Sequence, residues 1–498
     1  MYILSIDQGT TGSRTVAYNK KGVIKASAYC EFTQYFPKPG WVEHDPEEIW
    51  KSVYVSIQKV LRTIPAHRIT AIGITNQRET SIIWNRRSGK PIYNAIVWQC
   101  RRTAHRCTQL KRRKGNVAFF RKRTGLPIDA YFSATKIEWI LKNIPGARAK
   151  ARAGKLAFGT TDTWILWKLT GGKIHATDYT NASRTMLFNI GTLKWDRNIL
   201  KKFSIPQHIL PEVKPSSGLF GTTKKIGTLP AHIPITGIAG DQQAALFGQA
   251  CFEPGTLKNT YGTGCFLLLN TGKKRSISKH GLITTLGCGI GNKPVYVLEG
   301  AIFIAGAAIQ WLRDGLKLIK SAAQSESMAT SVKDTGSVYF VPALVGLGAP
   351  YWDQDARGAI FGITRGTTRH HLVRAALEAM CYQTKDVLDA MKKDSGFTIN
   401  NLKVDGGAVA NNFLCQFQSD ILGIRVIRSK VIETTSLGAA YLAGLAVGYW
   451  KNTTQIKRCW QKDALFNPQL SQKTAVKLYK DWRGAVGRTL SSHKVLSK

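Results

Sequence analysis

Residues 2–7 form a short apolar run that stops at a carboxylate. Gly9-Thr10-Thr11-Gly12-Ser13 then carries turn chemistry, and residues 14–18 resume a strand pattern before Lys20-Lys21-Gly22. The pattern predicts a β-hairpin whose tip is crowded with backbone N–H groups and hydroxyls. The same grammar returns in the second half: Leu257-Lys258-Asn259-Thr260-Tyr261, then Gly262-Thr263-Gly264, then residues 265–269, ending in Asn270-Thr271-Gly272. Two such hairpins predict a duplicated architecture.

Two further segments read as a strand running into Asp and a small or glycine-rich turn, followed by a helix: Ile235-Thr236-Gly237-Ile238-Ala239-Gly240-Asp241 and Leu402-Lys403-Val404-Asp405-Gly406-Gly407. The clearest helix spans 372–391, where Leu372, Val373, Leu377, Met380, Leu388 and Met391 trace one face at the helical period. Strands mixed with helices throughout predict an α/β protein. The boundary falls near 248–255, just before the second hairpin, which gives expected domains of 1–250 and 251–498.

Composition is ordinary for a globular chain, 43% hydrophobic and 20% charged, which excludes a disordered or fibrous protein. Charge is not ordinary: 71 Lys and Arg against 30 Asp and Glu give a net charge of +41, a general bias toward polyanions. Nine cysteines without a C-x-x-C pair offer neither a disulfide framework nor zinc-ligand spacing. The first residues lack a basic n-region and no uncharged stretch reaches bilayer length, so the expectation is a cytoplasmic protein without membrane insertion.

Glycine lets backbone approach an anion closely, and N–H groups at a hairpin tip form a nest for it. Two facing tips would clamp a polyphosphate. Asp7 at one strand end and Asp241 at another supply the carboxylates a hydrated Mg²⁺ prefers. No G-x-x-x-x-G-K-[ST] occurs, which excludes a P-loop, and Gly287-Cys288-Gly289-Ile290-Gly291 is too loose for a dinucleotide fingerprint.

Longer motifs add a resemblance. Asp7-Gln8-Gly9-Thr10-Thr11, Pro37-Lys38-Pro39-Gly40-Trp41-Val42-Glu43-His44-Asp45, Thr75-Asn76-Gln77-Arg78-Glu79-Thr80, Trp98-Gln99-Cys100-Arg101-Arg102-Thr103 and Gly240-Asp241-Gln242-Gln243 stand in the first half. Tyr261-Gly262-Thr263-Gly264-Cys265-Phe266, Gln310-Trp311-Leu312-Arg313-Asp314, Gly348-Ala349-Pro350-Tyr351-Trp352-Asp353 and Asp405-Gly406-Gly407-Ala408-Val409-Ala410-Asn411 stand in the second. In this order, across residues 2 to about 450, they closely resemble the FGGY carbohydrate kinase family and, within it, the members that phosphorylate glycerol. The resemblance implies a two-domain fold of the actin, Hsp70 and sugar-kinase ATPase type, with duplicated ribonuclease H-like domains and an interdomain cleft. It implies the reaction ATP + glycerol → ADP + sn-glycerol 3-phosphate with Mg²⁺, as in glycerol uptake and catabolism.

Residue by residue, the resemblance makes Asp241 the general base on the attacking hydroxyl, a role a carboxylate within hydrogen-bond reach can fill. Arg78, Glu79, Trp98, Tyr131, Asp241, Gln242 and Phe266 match polyol contacts: charges of both signs for the hydroxyls, an aromatic wall for the C–H face. Thr10, Thr11, Gly12, Arg14, Thr263, Gly306, Gln310, Gly407 and Asn411 match nucleotide contacts, and Asp7 with Asp241 would hold Mg²⁺ through water. It also implies a homodimer or homotetramer.

The chain departs from the family pattern in places. Gly12 stands where relatives usually carry Ser, Ala130 and Ala134 replace Pro and Gly around Tyr131, and Lys224 to Ile233 lacks the glycine cluster and arginine of the fructose 1,6-bisphosphate loop of bacterial relatives. The segment 467–479 diverges from the part that docks a phosphocarrier protein in enteric relatives. Read singly, Asp241 is also a helix N-cap, Arg78-Glu79 an exposed pair and Trp98 a core aromatic. Adjacent charges at 78 and 79 face one ligand only from a loop or strand end. Two other functions stay open: a polyanion-binding protein on a kinase scaffold, and a kinase for another polyol or sugar. The basic clusters are scattered and carry no nucleic-acid signature, so any polyanion binding is expected to be weak and salt-dependent.

Overall fold

The computed structural model describes residues 1–291 and 293–491; Asn292 and residues 492–498 of the expected second domain lie outside them. The predicted duplication is visible in two sheets. The first contains β1 (Tyr2–Gln8), β2 (Gly12–Tyr18), β3 (Ile24–Glu31), β4 (Ile69–Asn76), β5 (Ser217–Thr222) and β6 (Pro234–Gly240), in spatial order β5-β6-β4-β1-β2-β3. The second contains β7 (Leu257–Tyr261), β8 (Cys265–Gly272), β9 (Ile283–Gly287), β10 (Val295–Ile302), β11 (Asn401–Asp405), β12 (Arg425–Ser429) and β13 (Lys462–Phe466), in order β9-β10-β8-β7-β11-β12-β13. In each, a first strand pairs antiparallel with its hairpin partner and parallel with a later strand: β1 with β2 and β4, β7 with β8 and β11. The central five strands therefore repeat, β6-β4-β1-β2-β3 against β12-β11-β7-β8-β10.

Both hairpins form as predicted, with Gln8 opposite Ser13 and Tyr261 opposite Cys265 closing the tips. The parallel strands β4 and β6 are almost wholly buried, as expected for strands covered on both faces. Among the helices that matter for the site are α1 (Ser133–Asn143), α2 (Asp241–Gly248), α3 (Gly306–Asp314), α4 (Arg369–Ser395), α5 (Asn412–Leu422) and α6 (Thr434–Ala446). The predicted helix at 372–391 is the middle of α4. Its apolar face, including Val373, Leu377, Met380, Leu388 and Met391, lies in the core of the second sheet.

The strand ending at Asp405 runs into a glycine-rich turn before the next helix, as expected. A short 3₁₀ turn at Gly407–Ala410 intervenes, and α5 starts at Asn412 with Asn411 as its cap, whose side chain accepts from the Leu414 N–H at 2.9 Å. Helix α6, although late in the chain, packs on the first sheet through Leu437, Ala440 and Ala443, against Ile3, Val16 and Ala239. It also lies on α2, where a side chain at Gly438 would overlap the Ala244 carbonyl. This close approach fixes α2, and hence Asp241, between the two sheets. Cys107 and Leu110 of the basic segment 101–114, and Ala151 of 148–155, belong to one core cluster that also holds Phe120, next to 121–123. Among the described residues no helix is long and apolar enough to cross a membrane, and all nine cysteines are free.

Candidate active site between the two sheets

Strand β4 ends at Asn76, and the next residues turn so that Arg78 and Glu79 face the same space. Glu79 sits in the left-handed region at φ 62°, a conformation that needs support from its surroundings. The support is explicit: its carbonyl accepts from Ser81 Oγ at 3.0 Å, Ser133 Oγ at 3.0 Å and Lys136 Nζ at 3.3 Å. Lys136, fully buried on α1, also donates to the Tyr131 carbonyl at 2.6 Å; burial pushes its pKa down to about 8. Tyr131 is thereby held with its ring edge-on to Trp98, centroids 5.6 Å apart. Arg78 and Glu79 are 2% and 1% exposed, so they are not a surface pair.

Beneath them lies a buried charge cluster. Arg78 grips Glu299 with both arms, Nη1 to Oε2 at 2.6 Å and Nη2 to Oε1 at 3.1 Å. Arg184 donates from Nε to Glu79 Oε1 at 2.6 Å and lies 3.0 Å from Glu299 Oε1. Burial opposes charge on Glu299, but Arg184 and Arg78 outweigh it and hold its carboxyl below the ordinary range. Burial also lifts the Glu79 carboxyl, with Arg184 and Arg78 pulling against it. The cluster ties the first sheet to the second, since Glu299 belongs to β10.

Asp241 is the first residue of α2 rather than its cap, which is Gly240. Its Oδ1 accepts from the Gln242 N–H at 2.7 Å and pairs with Arg78 Nε at 3.0 Å. Oδ2 has no protein partner among the described residues, and the side chain is 30% exposed.

Arg78, Glu79, Trp98, Tyr131, Asp241, Gln242 and Phe266 line one pocket of about 140 Å³ with Thr10, Thr260 and the tip of the second hairpin. Every residue expected at the polyol is thus in one place. Thr10 accepts from Trp98 Nε1 at 3.1 Å, which fastens the first hairpin to the aromatic wall. A second cavity of about 500 Å³, within the usual range for small-molecule sites, is lined by Gly306, Gln310, Gly407, Asn411 and Thr263. The two cavities share Gly262 and Thr263. A larger cavity of about 720 Å³ against Phe247, Phe252 and Tyr296 collects none of these residues.

The rest of the first hairpin is placed differently. Arg14 lines neither cavity and pairs with Glu433 at 2.9 Å. Thr11 is exposed and bonds the Tyr29 hydroxyl at 3.1 Å, and Gly12 is packed under the Tyr29 ring, which fills the space a side chain there would need. Asp7 takes no side-chain hydrogen bond among the described residues. Burial, then Glu433 and Asp241, push its carboxyl up to about 8, with Arg14 pulling the other way. The three carboxyl groups of Asp7, Asp241 and Glu433 near one another are the oxygen donors a hard divalent cation takes. The described residues hold no group of three or more His, Cys, Asp or Glu that would cage a metal without water or phosphate.

Sequence reasoning missed Glu299, Arg184, Lys136 and Lys258. Glu299, Arg184 and Lys258 are each a lone charge in a run of uncharged residues, as in Val295-Tyr296-Val297-Leu298-Glu299-Gly300, and that isolation was the available signal; Lys136, with Glu138 two residues on, carried none.

The comparisons agree with this geometry. Residues 2–248 match the N-terminal domain, and residues 257–447 the C-terminal domain, of the FGGY family of carbohydrate kinases. The chain is 59% identical over 495 residues to glycerol kinase 2 of Thermotoga maritima, covering 99% of both chains. It is 60% identical over 489 residues to glycerol kinase of Carboxydothermus hydrogenoformans, covering 98% of both. The crystal structure of Plasmodium falciparum glycerol kinase with ADP superposes with a TM-score of 0.91 at 41% identity, covering 99% of this chain and 98% of that one. Gluconate kinase from Lactobacillus acidophilus, at 22% identity and a TM-score of 0.87 over 99% of this chain and 98% of that one, shares the fold. The matched segments and the near full-length identity establish that the chain belongs to the FGGY family of carbohydrate kinases and has its two-domain α/β fold.

Proposed function

We propose that the protein phosphorylates glycerol, transferring the γ-phosphoryl group of ATP to a terminal hydroxyl to give ADP and sn-glycerol 3-phosphate. The observation that carries this reading is the pair of adjoining cavities. A small one is lined by charges of both signs and an aromatic wall, a larger one fits a nucleotide, and they meet at Gly262 and Thr263. The relatives at 59–60% identity are glycerol kinases.

In this mechanism Asp241 is the general base. Arg78 and the Gln242 N–H both engage Oδ1, which orients the carboxylate and leaves Oδ2 to accept the hydroxyl proton as the new P–O bond forms. Arg78, Glu79 and Gln242 bind the remaining hydroxyls, while Trp98, Tyr131 and Phe266 cover the carbon face. Backbone N–H groups at the tips around Thr10, Thr11, Gly12 and Thr263 position the phosphates. Gly306, Gln310, Gly407 and Asn411 hold the adenosine side. Asp7 and Asp241 would hold Mg²⁺ through water, and the bound ion would supply positive charge to the phosphates during transfer. Arg14 acts by fixing Glu433 at the edge of this site rather than by lining it. The split near residue 250 lets the two lobes close on substrate and exclude water, and assembly as a homodimer or homotetramer belongs to the same reading.

The test is a substrate panel with Mg-ATP: glycerol, erythritol, xylulose and gluconate. The reading expects the highest kcat/KM on glycerol, and a higher value on any of the others overturns it.

A further inference from the structure

Lys258 stands two residues before Thr260 on β7, so both side chains leave the strand on the same face. Thr260 lines the small pocket, and Lys258, one step behind it, is fully buried. Among the described residues it forms no ion pair within 4.0 Å. Its Nζ donates instead to Gln242 Oε1 at 2.6 Å and Thr260 Oγ1 at 2.8 Å. Burial lowers its pKa to about 8, against which Asp405 and Asp241 act from farther off.

An ammonium has only donors to offer. The Gln242 amide must therefore turn its oxygen toward Lys258 and its NH₂ away from it. That NH₂ has no protein partner among the described residues, and Gln242 lines the pocket. Without Lys258 the amide could rotate by half a turn and present an acceptor in place of a donor. Acceptors are already supplied there by Asp241 Oδ2 and by the Glu79 carboxylate, whose Oε1 is taken by Arg184.

We propose that Lys258 is a positioning residue for the polyol: by fixing Gln242 Oε1 it makes Gln242 a donor toward the pocket and so selects a hydroxyl oxygen at that point of the substrate. The inference rests on the glycerol reading above and adds to it a specificity determinant outside the pocket wall.

The test is a double-mutant cycle in the full-length protein with Lys258→Met, Gln242→Leu and both together, measuring KM for glycerol and for ATP. Glycerol binding without nucleotide, followed by tryptophan fluorescence, gives a readout besides turnover. Lys258→Met is expected to raise the glycerol KM about tenfold, the usual scale for a charge-assisted hydrogen bond, with the ATP KM changed less than about twofold. Lys258→Gln, which keeps a donor, is expected to fall between native and Lys258→Met, and it carries the cycle if the methionine variant does not fold. In the Gln242→Leu background, loss of Lys258 should add less than about twofold, because its route to the substrate is gone. Effects that multiply in the double variant, or an ATP KM that rises as much as the glycerol KM, would overturn the proposal. If the native protein turns over another polyol instead of glycerol, the substrate reading fails, and the same cycle on that polyol still decides the role of Lys258.

Discussion

Replacing Glu299 by Gln removes one charge and almost no volume from the cluster under the pocket. Arg78, Arg184 and Lys258 there oppose Glu79, Asp241 and Glu299, and only Asp241 has substantial exposure. Glu299 takes both arms of Arg78, at 2.6 and 3.1 Å, and Arg184 at 3.0 Å, so its loss leaves a buried cation uncompensated. Removing one partner of a buried ion pair costs about 3–5 kcal/mol. Gln keeps one acceptor, which puts the expectation near 3 kcal/mol. At about 2–4 °C per kcal/mol for a domain of this size, Tm falls by about 6–12 °C. The pH dependence has a definite sign. The folded pKa of Glu299 is depressed, so its stabilisation is present above the ordinary carboxylate pKa and is lost as pH falls through the folded value. The gap between native and Glu299→Gln is therefore widest near pH 7 and closes in acid. Differential scanning fluorimetry from pH 7 downward, with the glycerol KM at pH 7, tests this. A Tm within about 2 °C of native together with an unchanged KM would refute the claim that Glu299 holds Arg78 for the substrate.

Gly407→Ala and Gly306→Ala should separate. A methyl at 407 meets no protein atom within 4 Å, so Tm should hold while the ATP KM rises severalfold, whereas at 306 it meets the Gly262 carbonyl at 2.6 Å and should lower both Tm and activity. His44 is fully buried as the neutral ring, near Gln34 Oε1 at 2.6 Å and Gln77 Nε2 at 3.4 Å, and burial lowers its pKa to about 4. The unfolded chain binds that proton near pH 6.5 and the folded one only near pH 4, so stability should drop by about 3 kcal/mol over that window; an acid titration of Tm in which His44→Gln shows the same slope would count against it. The +41 charge should give only weak nucleic-acid binding that disappears between about 50 and 200 mM salt, and a filter-binding signal surviving the higher salt would contradict that.

The local elements were legible because their signals are local. Both hairpins, the Asp241 turn and the helix at 372–391 sit where short-range pattern puts them. Helix α6 was not, since packing between α2 and the first sheet makes its sequence apolar on nearly every face and erases the amphipathic period. The 3₁₀ turn after Asp405 depends on Gly406 at φ 92°, packed against the Tyr261 backbone, a tertiary contact no window of sequence contains. In the site, residues that face the pocket were reachable through their motifs, but those that hold them were not. Arg78 and Glu299 stand 221 positions apart, and nothing near either one names the other. Gly12 shows the same limit: its requirement comes from the Tyr29 ring across the hairpin.

The most direct measurement is glycerol-dependent ADP formation from Mg-ATP, with the product identified as sn-glycerol 3-phosphate and Asp241→Asn run beside the native protein. The account predicts strong native activity that falls at least about a hundredfold in the variant, the scale for a lost general base, with Tm and nucleotide binding retained. Native-like turnover in a folded Asp241→Asn protein would contradict it.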